Sequence, residues 1–264
     1  MTFHTKKILT KFLTVLSASL SVKGADWKWE CYRLPKSELI TCIPETRGDQ
    51  DFWWIPYFQE KLKQPRKDLL FIGDSITDLW TYPADHQYPG GLTTWNKRYK
   101  DIATNFGITG DKTQTVLWRL TDGKSLEGCT PKHIVLLIGI NNLLQGDTPE
   151  DTATGIKAVT DYLRKVLPDS KVLILGIFPC HEKASDPIRG KIRTVNEKIK
   201  GLADFKNVYF VDIGNVFLEK DGAITKDMMR DLLHLSPKGY EMWADIMDPY
   251  LKAFLNNEPF PVNK

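Results

Sequence analysis

Residues 69–77 read L-L-F-I-G-D-S-I-T. An apolar run of strand length stops abruptly at Gly73-Asp74-Ser75, a polar turn with a hydroxyl in it. Two readings fit Ser75 on local grounds. It caps the helix that follows, as Ser, Thr and Asp commonly do, or it stands exposed at a strand end as a nucleophile. The stretch is not the G-x-S-x-G elbow, because Thr77 occupies the place of the second glycine.

Four further apolar runs of similar length follow: "DIATNFG" (101–107), "HIVLLIG" (133–139), "KVLILGI" (171–177) and "NVYFVDI" (207–213). The three central runs are nearly continuously apolar, as expected for parallel strands buried on both faces. Helical spacing separates them at 113–120, 149–167 and 186–202, and returns at 236–255. Strand–helix alternation predicts an α/β fold, a doubly wound parallel sheet of five strands. Pro56 within "DQDFWWIPYFQEKLK" (49–63) predicts a helix after that residue rather than through it, and Pro249 predicts a kink or break in the last helix. Trp53 and Trp54 read as core or covering residues.

The chain has 264 residues, 42% hydrophobic, enough for one sizeable α/β domain. Residues 1–24 read as a signal peptide: Lys6, Lys7 and Lys11, then an apolar run from Phe12 to Val22, then small residues. The expected location is therefore outside the cytoplasm, periplasmic or secreted. Residues 25–66 read as an N-terminal extension, 67–256 as the main domain and 257–264 as a tail. The export segment also explains the charge. Of 36 basic residues, Lys6, Lys7, Lys11 and Lys23 lie in it with no acid, which leaves 32 against 33 acidic. The remainder gives no electrostatic basis for nucleic-acid binding, and the apolar run is too short for a stable membrane span. Of the four cysteines, Cys31 and Cys42 are spaced for a local disulfide, while Cys129 and Cys180 fall at opposite sheet edges. No Cys/His spacing suits a metal.

Open parallel sheets bind ligands beyond the carboxyl ends of their strands, so candidate chemistry belongs on that edge. Ser75 qualifies. A serine nucleophile needs a base and an orienting carboxylate. His4 lies in the export segment, His133 opens a strand at the wrong edge, and His86 lies in the Pro/Gly-rich stretch 82–91. His181 follows the fourth strand on the right edge and remains a competitor. His234 follows Asp231 in "RDLLHLSPKGY"; that three-residue spacing can bring the carboxylate to Nδ1 and leave Nε2 free. Acyl transfer also needs donors for an oxyanion. Gly110 after the second strand and Asn141 after the third stand where a backbone N–H and a side-chain amide would serve with the N–H of Ser75. Each is equally a turn or cap residue when taken alone.

Taken together, "GDSIT", "GITGD", "GINN" and "DLLH" occur in the order found in the SGNH hydrolases, the GDSL esterase/lipase family, and the chain resembles that family from about Asp49 to Leu255. "NFGITGDKTQTVLWRL" with "IGINN" is most similar to the branch of the platelet-activating-factor acetylhydrolase catalytic subunits and related bacterial esterases. Asn142 stands where many members have Asp, Thr109 replaces a common glycine, and Trp80–Trp95 is long for the branch. The resemblance implies a flavodoxin-like three-layer α/β/α sandwich and ester hydrolysis without cofactor or metal. It implies Ser75 as nucleophile, His234 as base and Asp231 as its orienting group, with the oxyanion held by Ser75, Gly110 and Asn141. The expected substrate is a small-molecule or saccharide ester with a short acyl group. Trp80, Tyr82, Tyr88 and Trp95, with His181, are the candidate substrate contacts. A phospholipid or lysophospholipid acyl hydrolase, and a non-catalytic carbohydrate-binding module on the same scaffold, are the alternatives.

Overall fold

A computed structural model describes residues 40–261. The expected export segment, and Cys31 with any Cys31–Cys42 bond, lie outside the described residues. Five strands form one parallel sheet in the order β2-β1-β3-β4-β5: β1 Leu69–Gly73, β2 Ala103–Gly107, β3 His133–Leu137, β4 Lys171–Leu175 and β5 Val208–Val211. Every residue of β1 and β2 is buried. Helices cover both faces, which is why these strands lack hydrophobic alternation. The run expected over 133–139 ends at Leu137 because Gly139, at φ +121°, turns the chain out of the sheet.

The helices are α1 Asp51–Leu62, α2 Ser75–Asp78, α3 Leu92–Arg98, α4 Thr113–Leu120, α5 Ile140–Leu144, α6 Pro149–Val166, α7 Pro187–Lys200 and α8 Pro237–Asn256. α3 packs with α8, while α4, α6 and α7 pack in a row, giving a three-layer α/β/α sandwich. The three long helices share one start. Thr148, Asp186 and Ser236 each accept a backbone N–H in the first turn, and Pro149, Pro187 and Pro237 follow at the first helical position.

Both prolines sit inside helices: α1 runs through Pro56, which overturns the break expected there, and α8 continues through Pro249 without dividing. In α1 the carbonyl that loses its donor belongs to Phe52, whose side chain is 80% exposed, so the loss falls on the solvent side. On the inner side Trp54 and Phe58 are buried with Ile108, and this packing outweighs the missing bond.

Strand order reverses around β1, which pairs with β2 on one side and β3 on the other, Gly73 lying in register with both Gly107 and Leu137. The turns after β1, β2 and β3 therefore emerge side by side at the carboxyl edge, at the switch point where such sheets place ligands. α2 approaches β2 closely there. A Cβ on Gly107 would come within 2.6 Å of the Thr77 carbonyl carbon.

Candidate active site

The turn after β1 divides its labour between two residues. Asp74, not Ser75, caps α2: its side chain accepts the Ile76 N–H at 2.9 Å. Ser75 is thereby free for another contact, and its Oγ lies 2.8 Å from Nε2 of His234. Burial pushes the Asp74 carboxyl up to about 7; its Oδ2 has no hydrogen-bond partner.

His234 arrives from a short irregular segment before α8. A bridge between Met229 and Leu235 and a bond from the Arg230 N–H to the His234 carbonyl close this segment into a loop. Leu232 sits at φ +64° within it. Inside the loop, Asp231 Oδ1 accepts the backbone N–H groups of Leu233 (3.2 Å) and His234 (2.7 Å). Its Oδ2 lies 2.7 Å from the ring Nδ1 of His234. Burial alone would raise the Asp231 carboxyl, but the bonds from the His234 ring and N–H, with the charge of Arg230 3.9 Å away, hold it well below the usual carboxylate range. An ionised carboxylate can only accept, so the hydrogen sits on Nδ1 and Nε2 faces Ser75 as the acceptor.

The loop after β2 carries Gly110 at φ +80°, a conformation that favours glycine. Beside it, Thr109 donates its N–H (3.1 Å) and Oγ1 (2.9 Å) to Oδ2 of Asp78. After β3, Asn141 donates one amide hydrogen to the Asp111 carbonyl at 2.9 Å, which ties it to the residue following Gly110. Asp111 is itself buried; desolvation raises its carboxyl to about 6 against the opposing pull of Arg119, Trp54 and Arg47. The neighbouring Asn142 is structural: its Oδ1 accepts the Thr113 N–H at 3.0 Å and its amide reaches Asp147 at 2.9 Å, joining α5 to α4.

Ser75 and His234 open into a cavity of about 450 Å³, lined among others by Trp53, Tyr57, Asp78, Tyr82, Tyr88 and Arg230. Tyr82 and Tyr88 thus stand at the cavity, whereas Trp80 and Trp95 do not. Trp80 is fully buried and Trp95 nearly so. Trp80 packs against Tyr240 at 4.6 Å and Trp243 at 4.8 Å between ring centroids, and Trp95 lies edge-on to Phe71 of β1 at 5.4 Å. The indoles are claimed by the layer between β1 and α8, where large rings bury most area. His181 also falls outside the cavity, with its Nδ1 2.9 Å from Asp186.

The sequence alone does not mark Trp53, Tyr57, Asp78 or Arg230 as site residues. Trp53, Tyr57 and Lys61 recur every four residues along α1, one face of a helix, a signal lost once Pro56 is taken as a break. Tyr57 and Lys61 both donate to Oδ1 of Asp78 at 2.7 Å. Lys61 and Asp78 form an ion pair almost entirely out of solvent. Among the described residues no group of three or more His, Cys, Asp or Glu could hold a metal ion, and no helix is long and apolar enough to cross a membrane.

The chain is similar to known proteins in sequence and in fold. The model of the GDSL-like lipase/acylhydrolase family matches residues 71–242. The chain is 39% identical over 219 residues to the platelet-activating factor acetylhydrolase IB subunit alpha2 of Rattus norvegicus, covering 81% of this chain and 90% of that one. Among solved structures, a GDSL-like lipase from Bacteroides thetaiotaomicron superposes with a TM-score of 0.58 at 19% identity, covering 78% of this chain and 98% of that one. A catalytic mutant of an acetylxylan esterase from Geobacillus stearothermophilus gives 0.52 at 21% identity, covering 74% and 96%.

Proposed function

Since the chain belongs to the GDSL-like lipase/acylhydrolase family and is an ester hydrolase, we propose that it removes short acyl groups, acetyl foremost, from carbohydrates or other small alcohols. Ser75 attacks the ester carbonyl while His234 Nε2 takes its proton, and Asp231 holds the ring and the charge it acquires. The N–H groups of Ser75 and Gly110 and the amide of Asn141 hold the oxyanion. His234 then gives its proton to the departing alcohol, activates a water against the acyl-enzyme, and the carboxylic acid leaves.

The observation that carries the choice of substrate is the lining of the cavity. Its rings, Trp53, Tyr57, Tyr82 and Tyr88, suit a sugar face. Arg230 and Asp231 in the same wall are a costly lining for a long alkyl chain. The acetyl preference also agrees with the name of the acetylhydrolase relatives. The test is a panel of acetylated saccharides, short and long aryl esters and phospholipids, run beside Ser75→Ala and Asn141→Ala. Turnover concentrated on acetyl esters, abolished in Ser75→Ala and reduced on the order of 10²–10³-fold in Asn141→Ala, is expected. A preference for long-chain phospholipids would overturn the substrate assignment. Wild-type turnover in Asn141→Ala would overturn the oxyanion site.

A further inference from the structure

Residues 40–50 precede the span matched by the family model, yet one of their side chains reaches the loop after β2. Arg47 sits at the entry to a 3-10 turn, Gly48–Gln50, and its own N–H donates to Asp51 Oδ1 at 2.8 Å. The guanidinium lies over the Trp53 ring, 5.0 Å from its centroid. Nη2 donates to Gln50 Oε1 at 2.7 Å, and Nη1 donates to the Thr109 carbonyl at 2.5 Å while standing 3.9 Å from Asp111 Oδ1. Only 12% of the side chain is exposed. It also presses on Gly110: a Cβ there would come within 2.6 Å of Nη1 and 2.9 Å of Cζ.

The carbonyl of Thr109 and the N–H of Gly110 belong to the same peptide group. In a planar trans peptide the two point in opposite directions, so a donor fixed on the oxygen sets where the N–H aims. A charged donor also draws electron density toward the oxygen, which makes the N–H of that group a stronger donor in turn. From the other side Asp78 holds the preceding N–H and the hydroxyl of Thr109. The residue before Gly110 is thus clamped between a cation and a carboxylate. No hydrogen bond from the Gly110 N–H itself occurs among the described residues.

We propose that Arg47 is a positioning residue for catalysis: it aims and polarises the Gly110 N–H as an oxyanion donor. The assignment rests on Gly110 holding the oxyanion, as in the function proposed above. The test compares wild type, Arg47→Ala and Arg47→Lys, with active serine counted by organophosphonate titration so that misfolded protein drops out. In Arg47→Ala, kcat per titrated serine should fall about tenfold, less than the loss of a whole donor, with KM changed less than about twofold. The inhibition constant of a boronic acid, whose adduct with serine is tetrahedral, should rise in step with the fall in kcat. Arg47→Lys should recover part of both, and the amide resonance of Gly110 should shift in Arg47→Ala.

If Arg47 only anchors its segment, Arg47→Ala lowers the melting temperature or the fraction of titratable serine. Unchanged kcat per site and boronate affinity would then overturn the proposal. Ser75→Ala and Asn141→Ala, read as turnover per folded protein, separate the two levels of failure. Full activity in them defeats the site itself and the Arg47 role with it. Crippled controls beside an unimpaired Arg47→Ala defeat only the Arg47 role.

Discussion

Two histidine–aspartate pairs stand close together beyond the carboxyl ends of the strands. His234 Nδ1 lies 2.7 Å from Asp231, and His181 Nδ1 lies 2.9 Å from Asp186. The two loops even touch, through a bond from the His181 N–H to the Leu232 carbonyl at 2.7 Å. Only one pair meets a serine. His234 is directed at Ser75 across 159 residues of sequence, with a side chain 20% exposed. His181 leaves its ring 46% exposed, and its partner Asp186 is occupied as the N-cap of α7, accepting the Ile188 N–H at 3.0 Å. The same local pairing thus faces a serine in one loop and starts a helix in the other. Orientation by a carboxylate is common; a nucleophile at the far nitrogen is what makes chemistry.

The comparison is broken most directly at the imidazoles. His234→Ala is expected to lower kcat on an acetyl ester by on the order of 10⁴–10⁶-fold, and His181→Ala by less than about twofold. Comparable losses in both would mean that the second pair shares in the reaction.

The carboxylates come next. Asp231→Asn should cost on the order of 10⁴-fold in kcat with the fold intact, because the amide no longer dictates which ring nitrogen carries the hydrogen. Asp186→Ala should instead cost about 1 kcal/mol of stability through the lost cap and leave kcat near wild type. Denaturant titration paired with initial rates reads both variants, and an exchange of the two phenotypes would refute the assignment.

The remaining effect, on stability alone, concerns Asp74, a third carboxylate at this edge and the opposite of Asp231. Its carboxyl is raised from 3.8 to about 7 by burial. A raised carboxyl stabilises the fold fully below pH 3.8, and that contribution is lost as pH climbs toward 7. Asp74→Asn keeps an acceptor for the Ile76 N–H but cannot ionise. Its melting temperature relative to wild type should therefore rise between about pH 4 and 7 and level off above. A difference that stays flat over that window would show that Asp74 is not raised.

Much of the scaffold is legible in short stretches of chain. Runs such as "HIVLLIG" announce strands covered on both faces, and Thr148-Pro149, Asp186-Pro187 and Ser236-Pro237 mark helix starts with a cap and a preset φ. Pro56 misleads because packing there outweighs a single backbone bond. The segment Trp80–Trp95 is legible as aromatic but not as two populations. Trp80 and Trp95 serve the core while Tyr82 and Tyr88 serve the cavity, and nothing in their local spacing separates them. Lys61 looks like a surface lysine until Asp78 is seen beneath it. For that buried pair the rule is strict: removing one partner costs about 3–5 kcal/mol.

Residue order alone is enough for the strand–helix alternation, the helix starts and the four short motifs that bring Ser75, Gly110, Asn141, Asp231 and His234 under suspicion. The alternation and the helix starts are consequences of periodicity and turn chemistry, which act over a few residues; the motifs gain their weight from the resemblance to the family. It takes the folded chain to show that Asp74 takes the cap and leaves Ser75 to His234. It takes the folded chain, too, to bring Trp53 and Tyr57 of α1 to the site and to lay Arg47 on the Thr109 carbonyl. Each depends on which distant side chain fills the space opposite, and burial settles that over the whole molecule at once.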